Sequence, residues 1–345
     1  MTTATVPFTF INRITSAQAM GVSEQDGNTL LTPSQIQAGG TYQSPYQLSF
    51  DFSWDDLTAG FTHTPFNDWT LEGNPEYFPN PPQDWFDLAI YRDNASNSAV
   101  GSPSWGPGPR FYPTSVIPSD AGANTAEWQS QRLVAVAAAM IGYNYCHHHI
   151  PDWNPGPDWY NGLGITPTSQ LVGQGVDCSD YSSWLYNYGL GIYLDTDVQQ
   201  QGNMKTLSDN NGKPYTVRRV ADAATSYADL VKQLQTGDLL YIAGAPNLSK
   251  QNIQQQLQAG NPPQITHVIM WLGDVGVAGG TPLVTDSHGG EVRDENGNLI
   301  PTGIQARPFN QGSDSGSDSS VPVDESAPNW YFEHFLWALR ILPDL

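Results

Sequence analysis

Cys178 stands in the run GVDCSDYSSWLYNYGLGI, residues 175–192, where a loop gives way to a helical pattern. Tyr181, Trp184, Leu185 and Tyr188 recur there at i, i+3, i+4 and i+7. A thiol at a helix start meets unpaired N–H groups and the positive end of the helix dipole, and both favour the nucleophilic thiolate. Its proton needs an acceptor, and an imidazole from elsewhere in the chain is the natural one. Seven histidines are available. His63 and His334 have no motif around them. His147, His148 and His149 lie in the Pro/Gly loop CHHHIPDWNPGPDWYNG before Cys178, His267 opens HVIMWLG, and His288 follows LVTDS. A histidine at the start of one strand and a polar residue at the end of the next supply a base and the group that orients it. Taken singly, a small buried cysteine is more often inert filler. The set carries the chemical reading, not any one member.

The same histidines raise a second chemistry. His147–His149 with His267 and His288 offer enough nitrogen for zinc. Consecutive histidines, however, point in different directions, and zinc ligands on one element are usually spaced at i, i+4. No metal and no cofactor is expected. Cys146, next to Tyr145, is read as structural filler, with a redox lock on Cys178 as the sharper alternative.

The elements that must position these residues follow from the pattern. NTAEWQSQRLVAVAAAMIGYNY begins with a cap at Thr125 and continues as an Ala-rich buried helix. The helix opened by Cys178 ends near Gly189–Gly191. After residue 215 the chain turns to short β-branched runs: TGDLLYIAG, THVIMWLGD and TPLVTDSHGG. QGSDSGSDSS, residues 311–320, is an acidic low-complexity loop. The terminal WYFEHFLWALRIL fits a strand or a helix equally. Helices followed by strands predict an α+β domain, with helices on one side of an antiparallel sheet. Residues 1–120 carry strand-like runs (VPFTFI, YQLSFDFSW, WFDLAIYR) among Pro/Gly turns. They are read as a β-rich N-terminal region of unassigned role, preceding a domain at 121–345. Their Trp and Tyr side chains suit packing first and a glycan groove second.

Composition removes other classes. The 345 residues carry 34 acidic and 13 basic side chains, a formal charge of −21, which repels nucleic acid and anionic membrane. Two cysteines make no disulfide scaffold. No apolar run is long enough to span a membrane. The N-terminal residues lack a basic segment followed by a long apolar core, so no signal peptide is expected there.

Four segments in order give this chain a resemblance to the NlpC-type cell-wall cysteine peptidases, a compact branch of the papain-like superfold. They are GYNYCHHH at 142–149, VDCSDYSSWLYN at 176–187, LQTGDLLYI at 234–242 and THVIMWLG at 266–273, with LVTDSHGG at 283–290 following. The family pattern has Gly-x-x-Tyr-x-Trp-Gly-Gly, Asp-Cys-Ser-Gly, Pro-Gly-Asp-Leu and Ser/Thr-His-Val, then a His, Asn or Gln on the next strand. The resemblance covers roughly residues 125–345. It implies a papain-like domain in which Cys178 is the nucleophile and His267 the base. His288 is the first choice for the third catalytic residue, with Asp286 or Thr285 as alternatives. Tyr145 and His147 would line the pocket, Asp177 would grip a substrate ammonium, and Ser179 would stand beside it. The backbone N–H of Cys178 would serve the oxyanion.

The implied reaction is hydrolysis of a short peptide amide in peptidoglycan, of the γ-D-glutamyl–diamino acid type, in the cell envelope or outside the cell. Two other readings stay open. One is a thiol amidase or acyltransferase on another substrate; the other is a catalytically silent glycan-binding protein. The chain departs from the pattern where three histidines replace Trp-Gly-Gly and where Asp180 replaces glycine. The latter is expected to add negative charge at the site.

Overall fold

The computed structural model describes residues 125–140, 145 and 176–345, the last with gaps at 246, 274–280, 291, 295–296, 298, 301, 313–319 and 321–322. Short segments at 8–11, 43–48, 50–53, 56–57, 59, 115 and 117 are also described. Cys146, His147, His148, His149, His63 and the run WFDLAIYR lie outside the described residues, as does the expected division near residue 120.

Near the N-terminus, β1 (Phe8–Ile11), inside the run VPFTFI, pairs antiparallel with β2 (Gln43–Leu48), which begins before the run YQLSFDFSW and shares only its first three residues. Helix α1 (Thr125–Met140) and helix α2 (Cys178–Leu190) follow. All thirteen residues of α2 are buried, not only its aromatic face. The reason is its place between α1 and the sheet. Arg132 of α1 donates to the carbonyl of Gly189 at 2.5 Å, and a Cβ at Gly189 would sit 3.2 Å from Val136. Buried polar groups on α2 are satisfied by neighbours: Ser183 donates to Leu194 O at 2.6 Å and Tyr186 to Gly237 O at 2.5 Å. The helix ends at Gly191 with φ 69°, a left-handed conformation that glycine adopts without strain.

The chain continues through α3 (Val198–Asn203), the hairpin of β3 (Thr206–Ser208) and β4 (Pro214–Thr216), β5 (Arg218–Asp222) and α4 (Tyr227–Gln233). Next come β6 (Leu239–Ile242), α5 (Lys250–Gln258), β7 (His267–Gly273) and β8 (Leu283–His288). The small pair β9 (Val292–Arg293) and β10 (Leu299–Ile300) precedes β11 (Gly303–Pro308). The ambiguous terminal run divides into one turn of helix, α6 (Trp330–Glu333), and β12 (Phe335–Arg340).

Six strands form one sheet in the order β11-β8-β7-β6-β12-β5, every adjacent pair antiparallel. The class is α+β. Its helices do not keep to one side as expected. Leu239, Tyr241, Val268 and Met270 face a core shared with α1 and α2. Leu240, Ile242, Ile269 and Trp271 face a second core, with Leu230 from α4 and Tyr331 and Phe332 from α6. The strand runs are apolar at successive positions, and successive side chains point to opposite faces, so both faces need a cover.

Candidate active site

Cys178 is the first residue of α2. Asp177 caps this helix: its Oδ1 accepts from the N–H of Ser179 at 3.0 Å, the N–H of Asp180 at 2.9 Å and the hydroxyl of Ser179 at 3.1 Å. A cap of this kind stabilises by about 1 kcal/mol. The N–H of Tyr181 bonds to Asp177 O at 3.0 Å. Of the first-turn donors, the N–H of Cys178 is the one these bonds leave over. Cys178 retains 7% exposure and borders a cleft of about 610 Å³.

His267 opens β7 and borders the same cleft, also 7% exposed. Its Nε2 lies 2.7 Å from Oδ2 of Asp286 on β8. Nδ1 is then the nitrogen left for Cys178. Burial works against a charged ring here, but the adjacent Cys178 thiolate and the bonds to Asp286 and Cys178 outweigh it and push His267 up to about 10. Burial likewise works against ionised Asp286, but the Arg307 guanidinium and His267 hold it below the usual carboxylate range.

The three candidates for the residue that orients His267 separate by strand geometry. Register pairs Met270 with Thr285 and Trp271 with Val284, which, carried back along β7, sets His267 opposite His288. The two rings meet edge-on at 5.0 Å between centroids. The imidazole reaches diagonally instead, to Asp286 on the same face. His288 does not bond His267: its Nδ1 is 2.9 Å from Gly290 O and 3.0 Å from Gly290 N, and its Nε2 is 3.3 Å from Oε1 of Glu325. Burial, with the charges of His267 and Arg307, pushes His288 down to about 3, so it stays neutral. Thr285 faces the other way and bonds the hydroxyl of Tyr181 at 2.9 Å. The partner of His267 is therefore Asp286 and not His288, the first choice from sequence.

Asp180 differs from expectation as well. It is buried and its Oδ2 has no hydrogen-bond partner among the described residues. Burial, with the charges of Asp177 and Cys178, raises its carboxyl well above the usual range and so works against the negative charge expected there. Tyr145 is half-buried, bridges to Val176 and borders the cleft, as do Asp177 and Ser179. His147 cannot be placed with them, since it lies outside the described residues.

His267, Asp286 and His288 present ligand atoms within 4.8 Å of one another, a spacing a metal could bridge. The carboxylate does not suit one. Arg307 Nε donates to Asp286 Oδ1 at 2.7 Å and Tyr331 donates to Oδ2 at 2.6 Å. A buried guanidinium beside the carboxylate opposes a second cation.

Sequence reasoning did not single out Arg307, Tyr331, Trp330 or Glu325. Arg307 gave a signal that went unused: a lone charge in the short run GIQARP between turns. Besides His267, the cleft-lining charged side chains among the described residues are Asp177, Asp197 and Glu325, and these three are acidic.

The wall of the cleft is tight at Gly289. A Cβ there would lie 2.8 Å from Cε1 of Tyr145 and 3.1 Å from two more ring atoms. Gly289→Ala is expected to cost about 1–3 kcal/mol in denaturant unfolding. Gly290→Ala, whose Cβ would meet its nearest atom at 3.2 Å, should cost less. Equal losses would show that the Tyr145 contact does not fix this wall.

No family model matches the chain, and no curated protein matches it. Among solved structures the chain is similar to an NlpC/P60 family protein from Bacillus cereus ATCC 10987, with 14% identity and a TM-score of 0.30. The match covers 67% of this chain and 42% of that one, less than half its length.

Proposed function

We propose that this chain is a papain-like cysteine hydrolase of NlpC type that cleaves short peptide amides, with peptidoglycan stem peptides of the γ-D-glutamyl–diamino acid type as its substrates. The observation that carries the reading is the triad at the cleft: a thiol at a helix N-terminus, an imidazole bound to it, and a carboxylate 2.7 Å from the other nitrogen of that imidazole. The four sequence segments in family order support the same assignment.

In this reading Cys178 Sγ attacks the carbonyl carbon as thiolate, with the proton held on His267. The carbonyl π pair moves onto oxygen, and the N–H of Cys178 faces the resulting oxyanion, a donor worth about 3 kcal/mol of barrier. The C–N bond breaks as His267 delivers its proton to the leaving amine. Water then attacks the thioester, giving up a proton to His267, and Cys178 departs. Asp286 keeps Nε2 protonated and the ring aimed. Asp177, Asp197 and Glu325 give the cleft a sign that suits the ammonium of a diamino acid. Secretion to the cell envelope belongs to the same reading.

The test is incubation with purified muropeptides and with short neutral peptides, scored by mass spectrometry for new amines and carboxylates. Release of a free amine from muropeptides, blocked when Cys178 is alkylated, is the expected result. Cleavage restricted to amides unrelated to peptidoglycan would leave the thiol mechanism and remove the substrate. No cleavage together with glycan binding would remove both.

A further inference from the structure

Asp286 has three donors and no exposed surface. His267 and Tyr331 share Oδ2 at 2.7 and 2.6 Å, and Arg307 Nε holds Oδ1 at 2.7 Å. Asp286 and Arg307 are each 0% exposed. Register pairs Arg307 with Val284 and Gln305 with Asp286, so Arg307 reaches the carboxylate diagonally on the same sheet face as His267. Its Nη2 is anchored on Gly303 O at 3.0 Å. A guanidinium is seldom buried completely, and here it is spent on the one carboxylate that touches the imidazole.

A thiol–imidazole couple needs a base that also lets go of its proton. A bare buried carboxylate would hold the imidazolium tightly and resist transfer to the leaving amine. A carboxylate neutralised by its own cation still orients the ring but contributes little net field. We propose that Arg307 is a positioning residue whose charge cancels that of Asp286, so that His267 is aimed by an ion pair of no net charge. This rests on the reading of Cys178 and His267 as nucleophile and base. The other titratable groups facing the pair are Cys178 from α2, Tyr181 from α2, His288 from β8, Tyr331 from α6 and Glu325 from the loop before α6. None of them changes in the variants below.

The test is read on Cys178 itself. Its alkylation by iodoacetamide, followed by peptide mass spectrometry, is measured against pH for the parent, Arg307→Gln, Asp286→Asn and the double variant. Glutamine keeps a donor near Oδ1 and removes the charge. In Arg307→Gln the uncompensated carboxylate favours the protonated forms of the thiol–imidazole couple, and the midpoint of the rate profile rises by about one pH unit. In Asp286→Asn the uncompensated guanidinium lowers it by a similar amount. The double variant returns the midpoint to near the parent value. Loss of packing alone does not produce opposite shifts that cancel.

An unchanged midpoint in Arg307→Gln, shifts of one sign in both single variants, or a double variant no closer to the parent than either single overturns the proposal. Should the single variants melt below the assay temperature, the double decides, a parental midpoint supporting the pair and a displaced one refuting it. A parent Cys178 that alkylates no faster than free cysteine removes the thiol reading itself, and this proposal with it. The shifts between variants bear on Arg307 alone.

Discussion

Replacing Cys178 or His267 by alanine should lower the rate of the proposed amide hydrolysis by about 10⁴-fold or more, and the double replacement should cost little beyond either single one. The non-additivity follows from the geometry: each group acts through the other, so removing one leaves the second with nothing to do. Loss of activity could also come from misfolding, and the two residues differ there. Cys178 is a small side chain at a helix start, whose cap, Asp177, bonds through Ser179 and Asp180. Cys178→Ala should therefore melt within a few degrees of the parent. His267 is folded against Tyr331 and Trp330, with ring centroids at 6.1 and 6.0 Å, and its loss leaves Asp286 without one donor. His267→Ala should lose stability as well.

That loss depends on pH. His267 is raised from its ordinary 6.5 to about 10 in the fold. The stability it contributes is fully present below pH 6.5 and disappears as pH rises through 10. The melting difference between parent and His267→Ala should be largest below pH 6.5 and narrow above 10. A hydrolytic rate left intact in Cys178→Ala would end the assignment of the nucleophile, and a melting difference that widens with pH would end the assignment of a charged His267.

The parts of this molecule that were legible in the sequence are those that local pattern decides. The helix of Cys178 could be read from its aromatic spacing and its glycine stop, and β6, β7 and β8 from apolar runs between Gly, Asp and Pro. What sequence could not supply was the pairing across strands. His288, Asp286 and Thr285 lie within four residues, and only the register of β8 against β7 decides among them. One step along a strand reverses the face, which sends Thr285 to α2 and Asp286 to His267. Two steps keep the face but change the reach, which separates Asp286 from His288. Asp180 differs for another reason: a carboxylate in sequence is counted as a charge, and burial at 5% exposure works against that charge. Arg307 and Tyr331 come from β11 and α6, remote in sequence, and nothing local marks them as neighbours of one carboxylate. The second core on the far side of the sheet was implicit in the unbroken apolar strands, which have no polar face to give to water.

A large stability effect is also expected away from the cleft, at the turn before β6. Asp238 follows Gly237, whose φ of 97° needs glycine, and it is 2% exposed. Its carboxylate receives Arg340 of β12 in a two-pronged contact, Nε to Oδ1 at 2.8 Å and Nη2 to Oδ2 at 2.7 Å. It also accepts from the N–H of Gln235 at 2.8 Å. Arg340 spends its remaining donors on Gln233 O and on Asp344. Burial raises the Asp238 carboxyl in spite of the guanidinium, while burial of Arg340 is outweighed by Asp238 and Asp344, and its pKa rises. The two ends differ because Asp238 is enclosed and Arg340 reaches an exposed carboxylate at the surface.

A pair of this kind is worth little against apolar residues of the same shape, but breaking it strands a charge. Asp238→Ala should cost about 3–5 kcal/mol in denaturant unfolding, and Arg340→Met a comparable amount. Asp238→Leu with Arg340→Met should cost well under the sum of the two single losses, because no charge is left unpaired. The turn is remote from Cys178 and His267, so alkylation of Cys178 in any of these variants should proceed at the parental rate while the protein is folded. Additive losses in the double variant would mean that the two side chains stabilise the fold separately, and that the turn residue Asp238 is held by other contacts than Arg340.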